Sequence, residues 1–187
     1  FDNVKTDNIT DIIAPKVNNV TSTSDDSKFY RAGDEILIQL NFSEKVFVTG
    51  IPKLELETGA IDRFADYVSG SGTAALTFKY TVQDGDVTND LNYTSESALI
   101  LDAGTIKDRG GNNPALLSPA WWSVVTLAAS KNFVVDAATP TVVSVSSPSQ
   151  NRPYKLGEAI TIRVNFSEKV NVTGTPQITL KIGANTS

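Results

Sequence analysis

The residues of this chain that could do chemistry are carboxylates and amides gathered in short turns. Asp108 and Asn112 bracket an Asp-Arg-Gly-Gly-Asn turn, and Asp84 and Asp86 flank a single glycine. Such turns let the backbone approach a ligand closely. Calcium takes about six to eight oxygen ligands, several of them carboxylates. The turns are therefore candidate calcium sites, although no EF-hand loop is present and Asp and Gly also form ordinary solvated turns.

The absence of His and Cys excludes most other chemistry. No thiolate nucleophile, Ser-His-Asp triad or common zinc site can be assembled without them. Two carboxylate pairs, Asp84 with Asp86 and Asp62 with Asp66, have the residue types of a glycosidase, but they lie in turns or at strand ends. We therefore expect a protein that is not an enzyme.

Charge and hydropathy exclude two classes of partner. The net charge of −5 disfavours nucleic acid, which requires a basic surface. No apolar run approaches the roughly 20 residues that cross a bilayer, so this segment is predicted to contain no membrane span.

Adjacent tryptophans and N-linked acceptor motifs are the remaining candidate surface features. Trp121 and Trp122 lie in a long segment and could stack on sugars, or could close one end of a core. The motif N-x-[ST] also arises freely on a Thr/Ser/Asn-rich β surface, but in a eukaryotic protein it would accept glycans. It occurs at Asn8, Asn19, Asn41, Asn92, Asn165, Asn171 and Asn185.

The elements that must position these residues read as β-strands. Ile36, Ile38 and Leu40 alternate with more polar neighbours, a period of two that indicates a half-buried strand. We predict an all-β, immunoglobulin-like antiparallel sandwich of about seven strands. The predicted strands A to G cover residues 17–23, 35–42, 53–57, 63–68, 74–82, 98–102 and 131–135.

An internal repeat divides the chain. Tyr30–Gly59 recurs as Tyr154–Gly183, 124 residues later, with 16 of 30 positions identical. This period is long enough for each unit to be a domain rather than a layer of a solenoid. We predict the tail of a preceding repeat over 1–13, a complete repeat over 14–136 and the front of a following repeat over 137–187.

Antiparallel strands place successive loops at alternate ends of the sandwich. One end should hold Asp11, Glu44 in the B–C loop, and the turn from Asp108 to Asn112. The opposite end should hold Asp84 and Asp86. If repeats stack end to end, further acidic residues gather at the linker, namely Asp136 and Glu168.

Several strings resemble the Ig-like tandem repeats of giant microbial cell-surface proteins, such as the cyanobacterial swimming-motility protein and RTX-type adhesins. They are NFSEKVNVTGTPQITLKIG at 165–183, YVSGSGTAALTF at 67–78, YTVQDGD at 80–86, DLNY at 90–93 and GTIKD at 104–108. Asp11, Asp108 and Asn112 match the linker and Asp-x-x-Gly-Asn positions of that family. Arg109 within this turn, and the two tryptophans of the long segment, depart from its pattern.

The resemblance implies an extracellular structural or adhesive repeat of a stalk, sheath or filament, stiffened by calcium at its linkers. Its partners would be neighbouring repeats of the same chain, other copies in a filament, or cell-surface glycans. Two alternatives stay open: a carbohydrate-binding module that uses the tryptophans, and a glycosylated structural protein of a eukaryotic, algal surface appendage.

Overall fold

The computed structural model describes residues 11–114, 125–181 and 183. The chain divides into two compact units, Phe1–Ala138 and Thr139–Ser187. The division lies two residues beyond the predicted end of the complete repeat at 136.

The regular secondary structure of both units is almost entirely β-strand. In the first unit they are β1 Val17–Ser22, β2 Phe29–Tyr30, β3 Glu35–Thr49, β4 Lys53–Glu57, β5 Arg63–Ser69, β6 Thr73–Thr81, β7 Val87–Thr88, β8 Asn92–Tyr93, β9 Leu99–Ile100, β10 Thr105–Lys107 and β11 Val134–Asp136, with one helical turn, α1 Leu127–Ser130. The second unit contains β12 Val142–Ser146 and β13 Arg163–Phe166. The predicted all-β, antiparallel, sandwich-like fold is confirmed.

The main sheet of the first unit is organised around β3. Its strand order is β1-β3-β6-β5-β4-β8, with every neighbouring pair antiparallel. β10 pairs with the far end of β3, and β9 pairs with β4. A smaller sheet has the order β2-β11-β7, in which β11 runs parallel to β2 and antiparallel to β7.

The core follows from the alternation along β3. Ile36, Ile38 and Leu40 are fully buried, and they belong to one apolar cluster with Leu54 and Leu56 of β4. Full burial of one such side chain stabilises the fold by about 1.5–3 kcal/mol. The cluster also contains four aromatic residues, Tyr30, Phe78, Tyr80 and Phe133.

The sequence predicts some strands more accurately than others. β4 matches predicted strand C, β1 and β5 differ from theirs by one residue at one end, and β6 is shifted by one residue at both ends. The predicted end of strand B at residue 42 is wrong, because β3 continues to Thr49. Its polar residues Ser43, Glu44 and Lys45 form an irregularity in the ladder rather than a loop.

The last strands of the first unit differ more from the predicted strands F and G. Predicted strand F is reduced to the two residues of β9, because Asp102 and Ala103 adopt positive φ angles of 46° and 62° and turn the chain. Predicted strand G begins later, at Val134, because α1 ends at Ser130 and residues 131–133 connect it to β11 without joining a strand. Thr126 caps this helical turn by accepting a hydrogen bond from the Ala129 amide.

The part of the chain that the structure describes contains no helix with the length and apolarity needed to span a bilayer.

Candidate metal centre

Three carboxylates from distant parts of the sequence meet at one end of the first unit. Asp11 precedes β1, Glu44 lies within β3, and Asp108 follows β10. Each offers an oxygen, and these oxygens all lie within 4.8 Å of one another. The structure therefore brings together three of the predicted calcium ligands.

The irregularity in β3 sets the position of Glu44. Regular pairing between β3 and β6 is interrupted between Asn41 and Val46. Within that interval the Ser43 amide donates to the Lys16 carbonyl at 2.8 Å, and the Ser43 hydroxyl accepts from the Lys16 amide at 2.9 Å. These two bonds join β3 to the segment that enters β1, so Glu44 is held next to the residues around Asp11.

A hydrogen-bonded turn fixes Asp108. The Asn112 amide donates to Asp108 Oδ1 at 2.8 Å, and the Asn112 side-chain amide donates to Asp108 Oδ2 at 2.8 Å. The same side-chain amide donates to the Asp11 carbonyl at 3.0 Å. Asn112, predicted as a ligand, thus acts in this structure as a donor that ties Asp108 to Asp11.

Glycine at position 110 permits this close approach. A Cβ atom there would lie 2.8 Å from the Asp11 carbonyl oxygen and 3.0 Å from the Asp11 Cβ. The first of these contacts is shorter than real side chains show, and the second is tight. Gly110 is therefore a packing requirement of the site as well as a turn residue.

The pKa values of Glu44 and Asp108 shift in opposite directions. Burial, followed by the charges of Asp11 and Asp108, raises the pKa of Glu44. Burial alone would also raise the pKa of Asp108, but hydrogen bonds from Asn112, Gly111 and Gly110 outweigh it and lower that pKa. Near neutral pH the site therefore concentrates negative charge.

This donor set fits a hard divalent cation. Calcium binds oxygen at about 2.3–2.6 Å, so two ligands on opposite sides of one ion lie about 5 Å apart. Oxygens within 4.8 Å of one another meet that limit. A bound cation would offset both the burial and the charge repulsion that raise the pKa of Glu44, and water would complete the coordination of the cation.

The predicted ligands at the opposite end have different surroundings. Asp84 and Asp136 are exposed. Asp86 is buried, and both of its carboxylate oxygens already have partners: Oδ1 accepts from Arg63 Nε at 2.9 Å, and Oδ2 accepts from the Tyr80 hydroxyl at 2.5 Å. This geometry favours a structural role for Asp86.

The partners of Asp86 were not identified from the sequence. In the sequence, Arg63 is only the first residue of predicted strand D, and Tyr80 lies in predicted strand E. Tyr80 and Asp86 begin and end the string YTVQDGD, but no motif includes Arg63, and the sequence does not indicate a contact that joins β5, β6 and the turn after β6. Only the three-dimensional arrangement distinguishes Asp86 from its exposed neighbour Asp84.

In the second unit, Glu168 follows β13 and is half-buried. It occupies the sequence position that corresponds to Glu44.

The other predicted sites are distributed over the surface. The Asn41 side-chain amide donates to Asn19 Oδ1 at 2.6 Å across β1 and β3, so two acceptor motifs contact each other. Asn92 is half-buried on β8, and Asn165 and Asn171 are exposed. The predictions for Trp121, Trp122, Asn8 and Asn185 lie outside the described residues.

The carboxylates considered for glycosidase chemistry do not share one environment. Asp62 and Asp66 are both exposed, and Asp66 lies within β5 opposite Lys53 and Lys79 of the neighbouring strands. The other pair combines exposed Asp84 with buried Asp86.

No family model, curated protein or solved structure matches this chain.

Proposed function

We propose that this chain is a structural repeat of a long extracellular surface protein, and that calcium bound by Asp11, Glu44 and Asp108 fixes the segment that enters each repeat. The repeat itself supports a role in extension, because tandem domains of one kind build length. The net negative charge and the lack of His and Cys are compatible with this role.

The observation that carries the calcium proposal is the meeting of residues 11, 44 and 108. Asp11 belongs to the segment ahead of β1, whereas Glu44 and Asp108 belong to the body of the first unit. A cation held by all three would cross-link that segment to the sandwich. Two of the positions recur in sequence, since Asp136 corresponds to Asp11 and Glu168 to Glu44.

Calorimetric titration of the purified chain with calcium tests the proposal. We expect a binding isotherm for calcium that magnesium reproduces only weakly, because magnesium demands a stricter geometry and loses its water reluctantly. Asp108→Asn keeps the size of the side chain but removes one charge, and it should weaken calcium binding about tenfold or more.

Asp62→Asn is the matched control, because it makes the same change at an exposed position away from the three carboxylates. Its calcium affinity should equal that of the wild type. If the wild type gives no calcium isotherm, or if Asp108→Asn and Asp62→Asn bind calcium equally, the calcium proposal is refuted.

The structural role has its own test. A spacer repeat binds no glycan tightly, whereas a carbohydrate-binding module does. Screening the wild-type chain on a glycan array should therefore give no specific signal. A glycan-specific signal that Trp121→Ala or Trp122→Ala abolishes without unfolding the chain would replace the spacer role with the carbohydrate-binding alternative.

A further inference from the structure

The chain is fastened to the body of the first unit both where it enters and where it leaves. On entry, Lys16 exchanges two hydrogen bonds with Ser43 of β3. On exit, the Ala137 amide donates to the Asp86 carbonyl at 2.9 Å, and the Gly85 amide donates to the Ala137 carbonyl at 2.9 Å. Ala137 is 6% exposed. A force applied to the chain outside the unit would therefore reach the unit at these two points.

The two points lie at opposite ends of β3. Glu35, the first residue of β3, is opposite Thr81 at the end of β6, and the turn that binds Ala137 follows β6. Ser43 is eight residues further along β3, about 26 Å away, because a strand rises about 3.3 Å per residue. A pull between entry and exit would therefore act along the strands.

The last strand of the first unit runs parallel to an early one. β11 pairs with β2 through Val134 opposite Phe29 and Val135 opposite Tyr30. β2 follows the entry, and β11 leads directly to the exit. Because parallel strands have the same ends side by side, the pull would draw β2 and β11 in opposite directions along their shared axis. The two strands must then slide past each other, which loads the bonds between them together rather than one after another.

Buried side chains oppose such sliding. Tyr30 and Val135 are 1% exposed, and Phe133, the residue before β11, is 0% exposed. The Tyr30 and Phe133 rings pack edge to face with their centroids 5.5 Å apart. The Tyr30 hydroxyl donates to the Asp25 carbonyl at 2.6 Å, and the Leu91 amide donates to the Phe133 carbonyl at 3.0 Å. Movement of β11 along β2 would withdraw Phe133 and Val135 from the core.

We infer that the first unit bears tension between its two ends, and that the parallel pair of β2 and β11, together with Phe133, is the element that resists it. Antiparallel pairing of β11 with β7 adds backbone bonds along the other edge of β11. A repeat that gives a surface protein its length carries any force along that length, so this role rests on the proposed structural function. It does not depend on calcium, because Asp11, Glu44 and Asp108 belong to neither strand.

The direction of pulling can test this role, because the chain contains no cysteine and handles can be attached at chosen positions. Two exposed residues of the full chain are replaced by cysteine, coupled to DNA handles and stretched in optical tweezers in EGTA. Thr139→Cys, after β11, is the shared attachment point. Paired with Thr23→Cys, ahead of β2, it makes the two strands slide. Paired with Ala32→Cys, just after β2, it pulls on neighbouring ends of the strands and peels them apart.

We expect the rupture force of the sliding pair to be at least about twofold higher than that of the peeling pair, because peeling breaks the bonds one at a time. Ile12→Cys with Thr139→Cys spans the unit from entry to exit, and Ile12 is also exposed. Its highest rupture force should match that of the sliding pair, because the load passes to β2 and β11.

A pair of core variants tests the contribution of Phe133. Phe133→Leu and Phe78→Leu make the same change at two residues that are both 0% exposed, but Phe78 lies in β6 and contacts neither attachment segment. In the sliding geometry, Phe133→Leu should lower the rupture force more than Phe78→Leu does. The comparison of sliding with peeling leaves the core unchanged, so it remains informative if either variant fails to fold.

Equal rupture forces for sliding and peeling would overturn the inference. So would a force from entry to exit that is no higher than the peeling force, or equal losses in Phe133→Leu and Phe78→Leu. Because every measurement is made in EGTA, failure here is distinguishable from failure of the proposed calcium site. A glycan-specific signal on the array would refute the proposed structural role without changing these forces.

Discussion

Replacing Asp86 by alanine should destabilise the first unit strongly, whereas the same change at Asp84 should not. The two residues lie two positions apart in one acidic turn, but Asp86 is 1% exposed and Asp84 is exposed. The carboxylate of Asp86 accepts from Arg63 Nε at 2.9 Å, from the Tyr80 hydroxyl at 2.5 Å and from the Gln83 amide at 2.8 Å. Asp86→Ala removes all three acceptor contacts at once.

The magnitude follows from the surroundings of the three donors. The Tyr80 hydroxyl is buried, and losing the partner of a buried donor costs about 1–3 kcal/mol. Burial and the hydrogen bond to Asp86 raise the pKa of Tyr80, so the hydroxyl remains a donor at neutral pH. Removing one member of a buried ion pair costs about 3–5 kcal/mol, but Arg63 is partly exposed and can reach water. We therefore expect a loss of about 3 kcal/mol.

Urea unfolding followed by circular dichroism, in EGTA at neutral pH, measures this difference. Tyr80→Phe should cost about 1 kcal/mol, because Asp86 then keeps its other two donors. Asp84→Ala should change the free energy of unfolding by less than about 0.5 kcal/mol, as is usual for exposed positions. If Asp86→Ala and Asp84→Ala are equally stable, the assignment of Asp86 to a buried structural network is refuted.

Three further predictions concern turns and the candidate metal centre. Gly70→Ala should cost at least about twice what Gly33→Ala costs in urea unfolding. Both glycines have positive φ, which costs other residues about 1–2 kcal/mol, but of the two only Gly70 would bring the new Cβ against a backbone atom, the Ala75 carbonyl oxygen. Burial and neighbouring carboxylates raise the pKa of Glu44, so ionisation of Glu44 destabilises the metal-free unit as pH rises through that pKa. Glu44→Gln should therefore raise the melting temperature in EGTA at about pH 7 and leave it unchanged at about pH 3. Equal melting temperatures of the Glu44→Gln variant and the wild type at neutral pH would contradict this reasoning. Asn112→Ala removes the side-chain amide that donates to both Asp108 and Asp11, and calorimetry should show weaker calcium binding. An unchanged calcium affinity would mean that the site does not need these two hydrogen bonds.

The regular part of the fold could be predicted because burial alternates along its strands. Ile36, Ile38 and Leu40 show a period of two in the sequence and are buried in the structure. The end of β3 could not be predicted in the same way, since its polar residues 43–45 read as a loop. Pairing of Phe47 with Lys107 of β10 extends the strand, and that contact joins residues 60 positions apart.

The acidic residues at the two ends of the sandwich also show what strand topology can and cannot predict. Alternation of strand direction was sufficient to place Asp11, Glu44 and Asp108 at one end, and the structure brings them together. It was not sufficient to separate Asp84 from Asp86, because burial there depends on Arg63 and Tyr80 from other strands. Loop position can be inferred from topology, but the partner of an individual carboxylate requires the packed structure.

Thermal unfolding of the full chain in calcium, in magnesium and in excess EGTA tests the proposed calcium site most directly. A ligand that binds only the folded state at 100 times its dissociation constant stabilises that state by about 2.7 kcal/mol, which is on the order of 10 °C in melting temperature for a unit of this size. We predict such a rise with calcium, little rise with magnesium, and loss of the calcium effect in Asp108→Asn but not in Asp62→Asn. If the wild-type chain has the same melting temperature in calcium and in EGTA, the proposal that calcium binds at these three carboxylates is wrong.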